Sequence, residues 1–321
     1  MAEKPKVAFY WCASCGGCEE AIVDLAEGIL QVVEAVDIAF WPVALDFKRA
    51  DVEALADGAL AVSFINGAIR TSEQEEMAHL LRRKSGLVIA YGACAYQGGI
   101  PGLANLTSRE AILNFVYREA PSNDNGARPQ TRTTVPEGEL QLPEFHEVVR
   151  ALDQVIAVDY YLPGCPPTPQ ITLAAVTAIL EGKLPEKGAV LAGDRALCHE
   201  CELNATKPEK LLIGELRRIH QVVPDPAKCL LAQGVLCLGP VTRGGCEALC
   251  VKGGMPCTGC FGPLGRVRDF GGKALSALAS IVDATSEPDL ARAFAALPDP
   301  AGTFYRYSLP ASLLEGKRRA A

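Results

Sequence analysis

Apolar positions in the first 185 residues fall into two alternating patterns. Val7–Trp11, Ala35–Val43, Ala59–Ile65, Leu87–Tyr91 and Val155–Tyr161 are short runs dense in apolar residues, and they predict buried strands. Glu19–Glu34 instead spaces Ile22, Leu25, Ala26, Ile29, Leu30 and Val33 along one helical face. Asp46–Leu55, Thr71–Lys84, Ser108–Arg118 and Pro169–Glu181 also predict helices. Thr71/Ser72 with acids behind them open the third of these five helices, and Gly86 lies just past its end. Strands alternating with helices predict an α/β fold with a parallel sheet covered on both faces.

Two regions break the alternation. Pro121–Pro143 is rich in Pro, Asn, Thr, Gly and Arg without apolar periodicity, and is expected to be a surface insertion. After Pro185 the pattern stops, apart from one apolar helix expected near Lys273–Ala284. The expected domains are therefore 1–185 and a smaller, loop-rich 186–321. A region that buries little apolar surface often depends on metal.

Composition narrows the function. Hydrophobic residues make up 49% and the formal net charge is −7, which fits a globular chain and argues against a nucleic-acid partner. No apolar run approaches the length of a membrane span. The opening MAEKPKVAFYW enters a strand pattern without a charged region and apolar stretch ahead of it, so a cytoplasmic location is expected.

That location decides how to read the 13 cysteines. Disulfides are rare in a reducing cytosol, so metal ligation is the better reading. Cys15 and Cys18 follow the first strand, Cys94 follows Leu87–Tyr91, and Cys165 follows Val155–Tyr161. In an open parallel sheet, ligands bind beyond the carboxyl ends of the strands, so these four thiols converge on one sheet edge. Neighbouring glycines let backbone approach a bulky group. The C-terminal region adds Cys198, Cys201, Cys229, Cys237, Cys246, Cys250, Cys257 and Cys260, five of them in GVLCLGPVTRGGCEALCVKGGMPCTGC. Twelve cysteines make three sets of four and leave Cys12 over. Four thiolates suit zinc or a [4Fe–4S] cluster. Three such sites in one chain suggest an electron wire, while a zinc-stapled, non-enzymatic scaffold is the remote alternative.

SCGGCE (Ser14–Glu19), GACAYQGGIPG (Gly92–Gly102) and PGCPPTP (Pro163–Pro169), followed by the C-terminal cysteine run, resemble the small subunit of [NiFe]-hydrogenases. The resemblance implies a flavodoxin-like domain over 1–185 with a proximal [4Fe–4S] cluster on Cys15, Cys18, Cys94 and Cys165. It implies a C-terminal domain with a distal cluster on Cys198, Cys201, Cys229 and Cys237. A medial cluster falls on Cys246, Cys250, Cys257 and Cys260. It further implies that this chain has no catalytic residues of its own. The Ni–Fe centre lies in a partner large subunit, and this chain passes electrons to a downstream iron–sulfur or flavin subunit.

The sequence departs from periplasmic relatives in lacking an export signal and a C-terminal anchor, in placing cysteine where a distal histidine is usual, and in carrying Cys250 as a fourth medial cysteine. It is most similar to cytoplasmic hydrogenases that feed heterodisulfide-reductase-type complexes. NAD(P)- and F420-linked cytoplasmic hydrogenases are the runners-up. The related quinone-reductase subunit shares only the proximal-cluster domain.

Other residues receive plainer expectations. Glu19 is either a proton-path or interface residue, or simply an acid in the first turn of a helix, where the dipole favours it. Cys12 is expected as a buried small hydrophobe. Trp11 and Trp41 are expected in the core or at a subunit interface, and His79 and His220 on solvated helix surfaces. His146 is expected to open a helix without a partner. His199, two residues before Cys201, is expected off the distal site. Gly98–Gly99 and Gly244–Gly245 lack the G-x-G-x-x-G spacing, so no NAD or flavin site is expected.

Overall fold

A computed structural model describes residues 4–124, 126–265, 267–295 and 297–314. The extreme ends of the two expected domains, 1–3 and 315–321, lie outside the described residues. The first half runs β1 (Lys6–Trp11), α1 (Gly17–Val23), α2 (Gly28–Ala35), β2 (Asp37–Phe40), α3 (Arg49–Glu53), β3 (Leu60–Asn66), β4 (Ile69–Thr71), α4 (Ser72–Lys84), β5 (Ser85–Tyr91), α5 (Ala93–Gln97), α6 (Arg109–Asn114), β6 (Arg132–Val135), β7 (Gly138–Gln141), β8 (Phe145–Arg150), β9 (Tyr160–Leu162) and α7 (Pro169–Leu180).

Five strands form one sheet in the order β2-β1-β3-β5-β9, with all neighbours parallel. Counted within the sheet this is 2-1-3-4-5, the flavodoxin-like order. The expected α/β class therefore holds. Alternation along β1 sends Val7 and Phe9 to one face and Ala8 to the other. One face is covered by Met77, Ala78, Leu80 and Leu81 of α4. The other is covered by Ile22, Val32 and Ala175 from α1, α2 and α7.

Several boundaries differ from the sequence pattern. The stretch expected as one helix over Glu19–Glu34 is two, because Ala26 adopts φ 50° and breaks the hydrogen-bond ladder. Asp46–Leu55 contracts to α3, where the Asp51 carboxylate accepts the Lys48 N–H at 2.7 Å. Val155–Tyr161 contracts to β9, because the Asp159 carboxylate takes the Val88 N–H at 2.8 Å and also pairs with Arg82. The helix expected over Ser108–Arg118 is α-helical to Asn114 and then widens into a π-turn over Phe115–Glu119. The insertion contains an exposed β6–β7 hairpin. His146 lies in β8, not in a helix, and its Nε2 is 2.9 Å from a Glu75 carboxylate oxygen that Arg150 also contacts.

The C-terminal region has little regular structure: α8 (Leu249–Lys252), α9 (Phe270–Ala279), α10 (Glu287–Phe294) and α11 (Pro300–Phe304), with short 3-10 turns. α9 replaces the helix expected over Lys273–Ala284, starting earlier because the Asp269 side chain accepts the Gly272 N–H. Leu216, Leu231, Leu238, Phe270, Leu278 and Phe304 build a core of their own. A second, small cluster joins Leu197 and Ala248 to Cys201, Cys237, Cys246 and Cys257. This region is tied to the first half where Tyr307 O accepts from Gly99 N at 3.0 Å and Pro310 O from Gln154 Nε2 at 2.7 Å. Among the described residues no helix is long and apolar enough to cross a membrane.

Candidate metal centres

The first cysteine set stands on three loops beyond the carboxyl ends of β1, β5 and β9. After β1 the chain is held down by Cys12 N–H on Asn66 O at 2.8 Å and by Ala13 N–H on Ala68 O at 2.9 Å. The loop then lifts Cys15 outward and starts α1, whose first turn carries Cys18. After β5, Gly92 turns the chain at φ 87° into α5, which carries Cys94. Ala93 N–H donates to Gly164 O at 2.6 Å, binding this loop to the one after β9 that carries Cys165.

Two glycines are required by sulfur. A Cβ on Gly92 would collide with Cys18 Sγ, and one on Gly99 with Cys94 Sγ. Gly17 N–H also donates to Cys15 Sγ at 3.4 Å. The four thiols are close enough to act on one another. Burial raises the Cys18 thiol far above its ordinary range, and Cys94, Cys165 and Cys15 add to that. Burial pushes Cys94 up to about 12, with Cys165 and Cys15 contributing. Cys165 is raised by burial and by Cys15. Cys18, Cys94 and Cys165 therefore favour the protonated form when free, and a compensating cation favours their thiolates.

Cys198, Cys201, Cys229 and Cys237 line one cavity together with Leu197, Leu203, Asn204 and Lys207. Thr206 Oγ1 accepts the Cys229 N–H at 2.7 Å. Cys237 is pushed by burial up to about 11, against hydrogen bonds from the Gly239 and Cys257 N–H groups.

The remaining set lies between these two. Cys246 is raised by burial and by Glu200 and Cys250, while Cys260 rises to about 12 by burial, with Cys165, Cys246 and Cys250 adding. Cys257 faces both C-terminal sets: burial raises it most, followed by Cys237, with Cys260 a lesser cause. Two contacts order the three sets in space. Cys165 lies near enough to Cys260 to perturb its thiol, and the Cys257 N–H donates to Cys237 Sγ at 3.4 Å.

Cys12 is buried among Ile65, Ile69 and Ala90 and stands apart from the three sets, as expected. Trp41 is buried against Phe9, while Trp11 remains 38% exposed. His79, His199 and His220 are exposed, and His199 does not line the Cys198 cavity. Glu19 is more than a helix-capping acid. It is 5% exposed and accepts hydrogen bonds from Trp41 Nε1 and, at 2.5 Å, from Asn66 Nδ2. Burial raises its carboxyl and those two hydrogen bonds oppose the rise. Asn66 and Trp41 lie far from Glu19 in sequence, so no local pattern marks this network. Lys207, whose Nζ donates to Cys198 Sγ at 3.6 Å, carries no sequence signal either.

The cysteine sets fit an iron–sulfur core. All twelve candidate donors are sulfur, backbone N–H groups point at several of them, and glycines are cleared against two.

Comparison with known proteins agrees with this chemistry. The family described as NADH ubiquinone oxidoreductase, 20 Kd subunit, matches residues 15–179. The chain is 40% identical over 318 residues to an F420-non-reducing hydrogenase iron-sulfur subunit of Archaeoglobus profundus, covering 97% of this chain and 98% of that protein. It is 36% identical over 327 residues to the corresponding F420-non-reducing hydrogenase subunit of Methanothermobacter thermautotrophicus, covering 99% and 98%. Its fold is similar to a chain of the [NiFeSe] hydrogenase of Desulfovibrio vulgaris Hildenborough, with TM-score 0.53 and 18% identity over 82% of this chain and 95% of that one. The chain therefore belongs to the NADH ubiquinone oxidoreductase 20 Kd subunit family and, within it, to the iron-sulfur subunits of F420-non-reducing hydrogenases, which are small subunits of [NiFe]-hydrogenases.

Proposed function

We propose that this chain carries electrons from H2 oxidation in a partner large subunit, through three [4Fe–4S] clusters, to a further redox partner of heterodisulfide-reductase type. The observation that carries the reading is the linear order of the sets. Cys260 lies near Cys165, and the Cys257 N–H donates to Cys237 Sγ at 3.4 Å, which supports reading the sets on Cys15/18/94/165, Cys246/250/257/260 and Cys198/201/229/237 as successive. When bound, the clusters supply one-electron transfer.

The protein's own residues supply the rest. Gly92 and Gly99 leave room at the sulfurs, backbone N–H groups of Gly17, Gly239 and Cys257 donate to sulfur, and Cys18, Cys94, Cys229 and Cys257 are buried while Cys15 and Cys250 are exposed. Glu19, held by Trp41 and Asn66 beside Cys18, serves proton movement or the large-subunit contact. Residues 1–185 act as the proximal-cluster domain and 186–321 as the medial and distal one, in a cytoplasmic complex.

The relatives' names set F420 aside as an acceptor, so the F420-linked alternative loses support. Their similarity spans the C-terminal cysteines as well, which a quinone-reductase subunit lacks. Purified alone, the chain should show no H2-dependent dye reduction, and co-expression with its large subunit should restore it. Dye reduction by the lone chain would overturn this division of roles.

A further inference from the structure

The segment from Cys198 to Lys207 turns opposite charges toward the two C-terminal cysteine sets. Glu202–Thr206 forms a 3-10 turn whose last hydroxyl accepts the Cys229 N–H at 2.7 Å and donates to Leu203 O at 2.7 Å. This fixes the backbone at Lys207, which stretches its Nζ to within 3.6 Å of Cys198 Sγ. Lys207 is the only charged side chain among the described residues lining that four-cysteine cavity.

Glu200 sits on the same loop but reaches the other way. Its Oε1 accepts the Gly245 N–H at 2.5 Å and its Oε2 the Glu247 N–H at 3.0 Å, the residues on either side of Cys246. Glu247 and Ala248 both adopt positive φ, near 54° and 53°, so this clamp also holds a turn that L-residues rarely adopt.

We propose that Lys207 and Glu200 bias the two C-terminal sets in opposite senses, making the Cys198/201/229/237 set the easier to reduce and favouring electron passage toward it. The inference rests on the reading that both sets hold clusters. One electron leaves the Cys246/250/257/260 set and one enters its neighbour, with no covalent bond made or broken. The receiving set gains one negative charge. A cation in contact with its ligand stabilises that charge, and an anion beside the donor set destabilises charge there. Lys207 is half-buried and Glu200 exposed, so the Lys207 effect is the less screened and the larger.

The test is a redox titration followed by EPR on the complex with its large subunit, comparing the unsubstituted chain with Lys207→Gln, Lys207→Arg and Glu200→Gln. Lys207→Gln should lower the reduced-to-oxidised ratio of one cluster about tenfold at fixed poise, about 59 mV for a one-electron centre. The other two clusters should not move. Lys207→Arg should restore the ratio, and Glu200→Gln should shift a different cluster in the opposite direction. Unchanged midpoints in Lys207→Gln with full iron content would overturn the inference. So would equal shifts in the Gln and Arg variants, which mark a merely structural role. If Lys207→Gln loses iron, the Glu200→Gln midpoint decides alone, and no shift there counts against the proposal. Zinc in place of iron in the unsubstituted chain would instead sink the underlying functional reading.

Discussion

The backbone N–H of Cys257 donates to the sulfur of Cys237 at 3.4 Å, although the two cysteines fall in different sets. They therefore share a wall. Cys237→Ala should remove the cluster proposed on Cys198/201/229/237, about four irons, and should also alter the EPR signal of the one proposed on Cys246/250/257/260, because the Cys257 N–H loses its acceptor. A change confined to one cluster would show that this contact does not couple them.

Cys250 occupies the second position of α8, where proline is tolerated because the N–H has no helical partner. Cys250→Pro should preserve the fold and convert one cluster to a three-iron form, seen as a new EPR signal in the oxidised protein. An unchanged spectrum would move Cys250 off the cluster.

His199 is exposed and Cys198 lines the cavity. His199→Ala should leave iron content and all three EPR signals intact, whereas Cys198→Ala should destroy or convert one cluster and leave H2-dependent reduction of the proximal one. The reverse pattern would place histidine on the metal.

Glu19 satisfies two buried donors, Trp41 Nε1 and Asn66 Nδ2. Glu19→Ala strands the indole N–H and one of the two Asn66 amide N–H groups, the other staying on Tyr10 O at 3.2 Å. The expected loss is about 1–3 kcal/mol in the unfolding free energy, with Glu19→Gln closer to the unsubstituted chain. Equal stability of both variants would mean the network contributes nothing to folding.

The iron-free chain should weaken in alkali. Burial holds the Cys94 thiol at about 12, Cys237 at about 11 and Cys260 at about 12, whereas an unfolded thiol titrates near about 8.5. The folded chain keeps protons that the unfolded one releases. This stability is fully present below the unfolded value and is lost as pH rises through the folded ones. The denaturant midpoint of the iron-free chain should fall as pH is raised above about 9. A flat profile would contradict the burial of these thiols.

What the sequence made legible follows from the range of the interactions involved. The sheet and its helices were readable because burial on two faces writes continuous apolar runs, as in Leu60–Asn66 and Ser85–Tyr91. The first cysteine set was readable because strand ends dictate where loops meet. The break at Ala26 was not, since nothing in the residue type announces φ 50°. α10 and α11 were not anticipated: at eight and five residues they are too short to stand out as helical patterns, and the capping side chains of Ser286 and Asp299 become evident only in the fold. Glu200 and Lys207 escaped because their roles depend on how an irregular loop folds onto distant backbone at 245–247 and onto a nearby sulfur. The cysteine partition in that region came from resemblance, and Cys257 shows why spacing alone would not give it: it faces both sets.

The central claim is that twelve of the 13 cysteines hold three iron–sulfur clusters. Iron and acid-labile sulfide per chain, measured on anaerobically purified protein alongside zinc, test it most directly. About twelve of each and negligible zinc are expected. About three zinc per chain with little sulfide would contradict it.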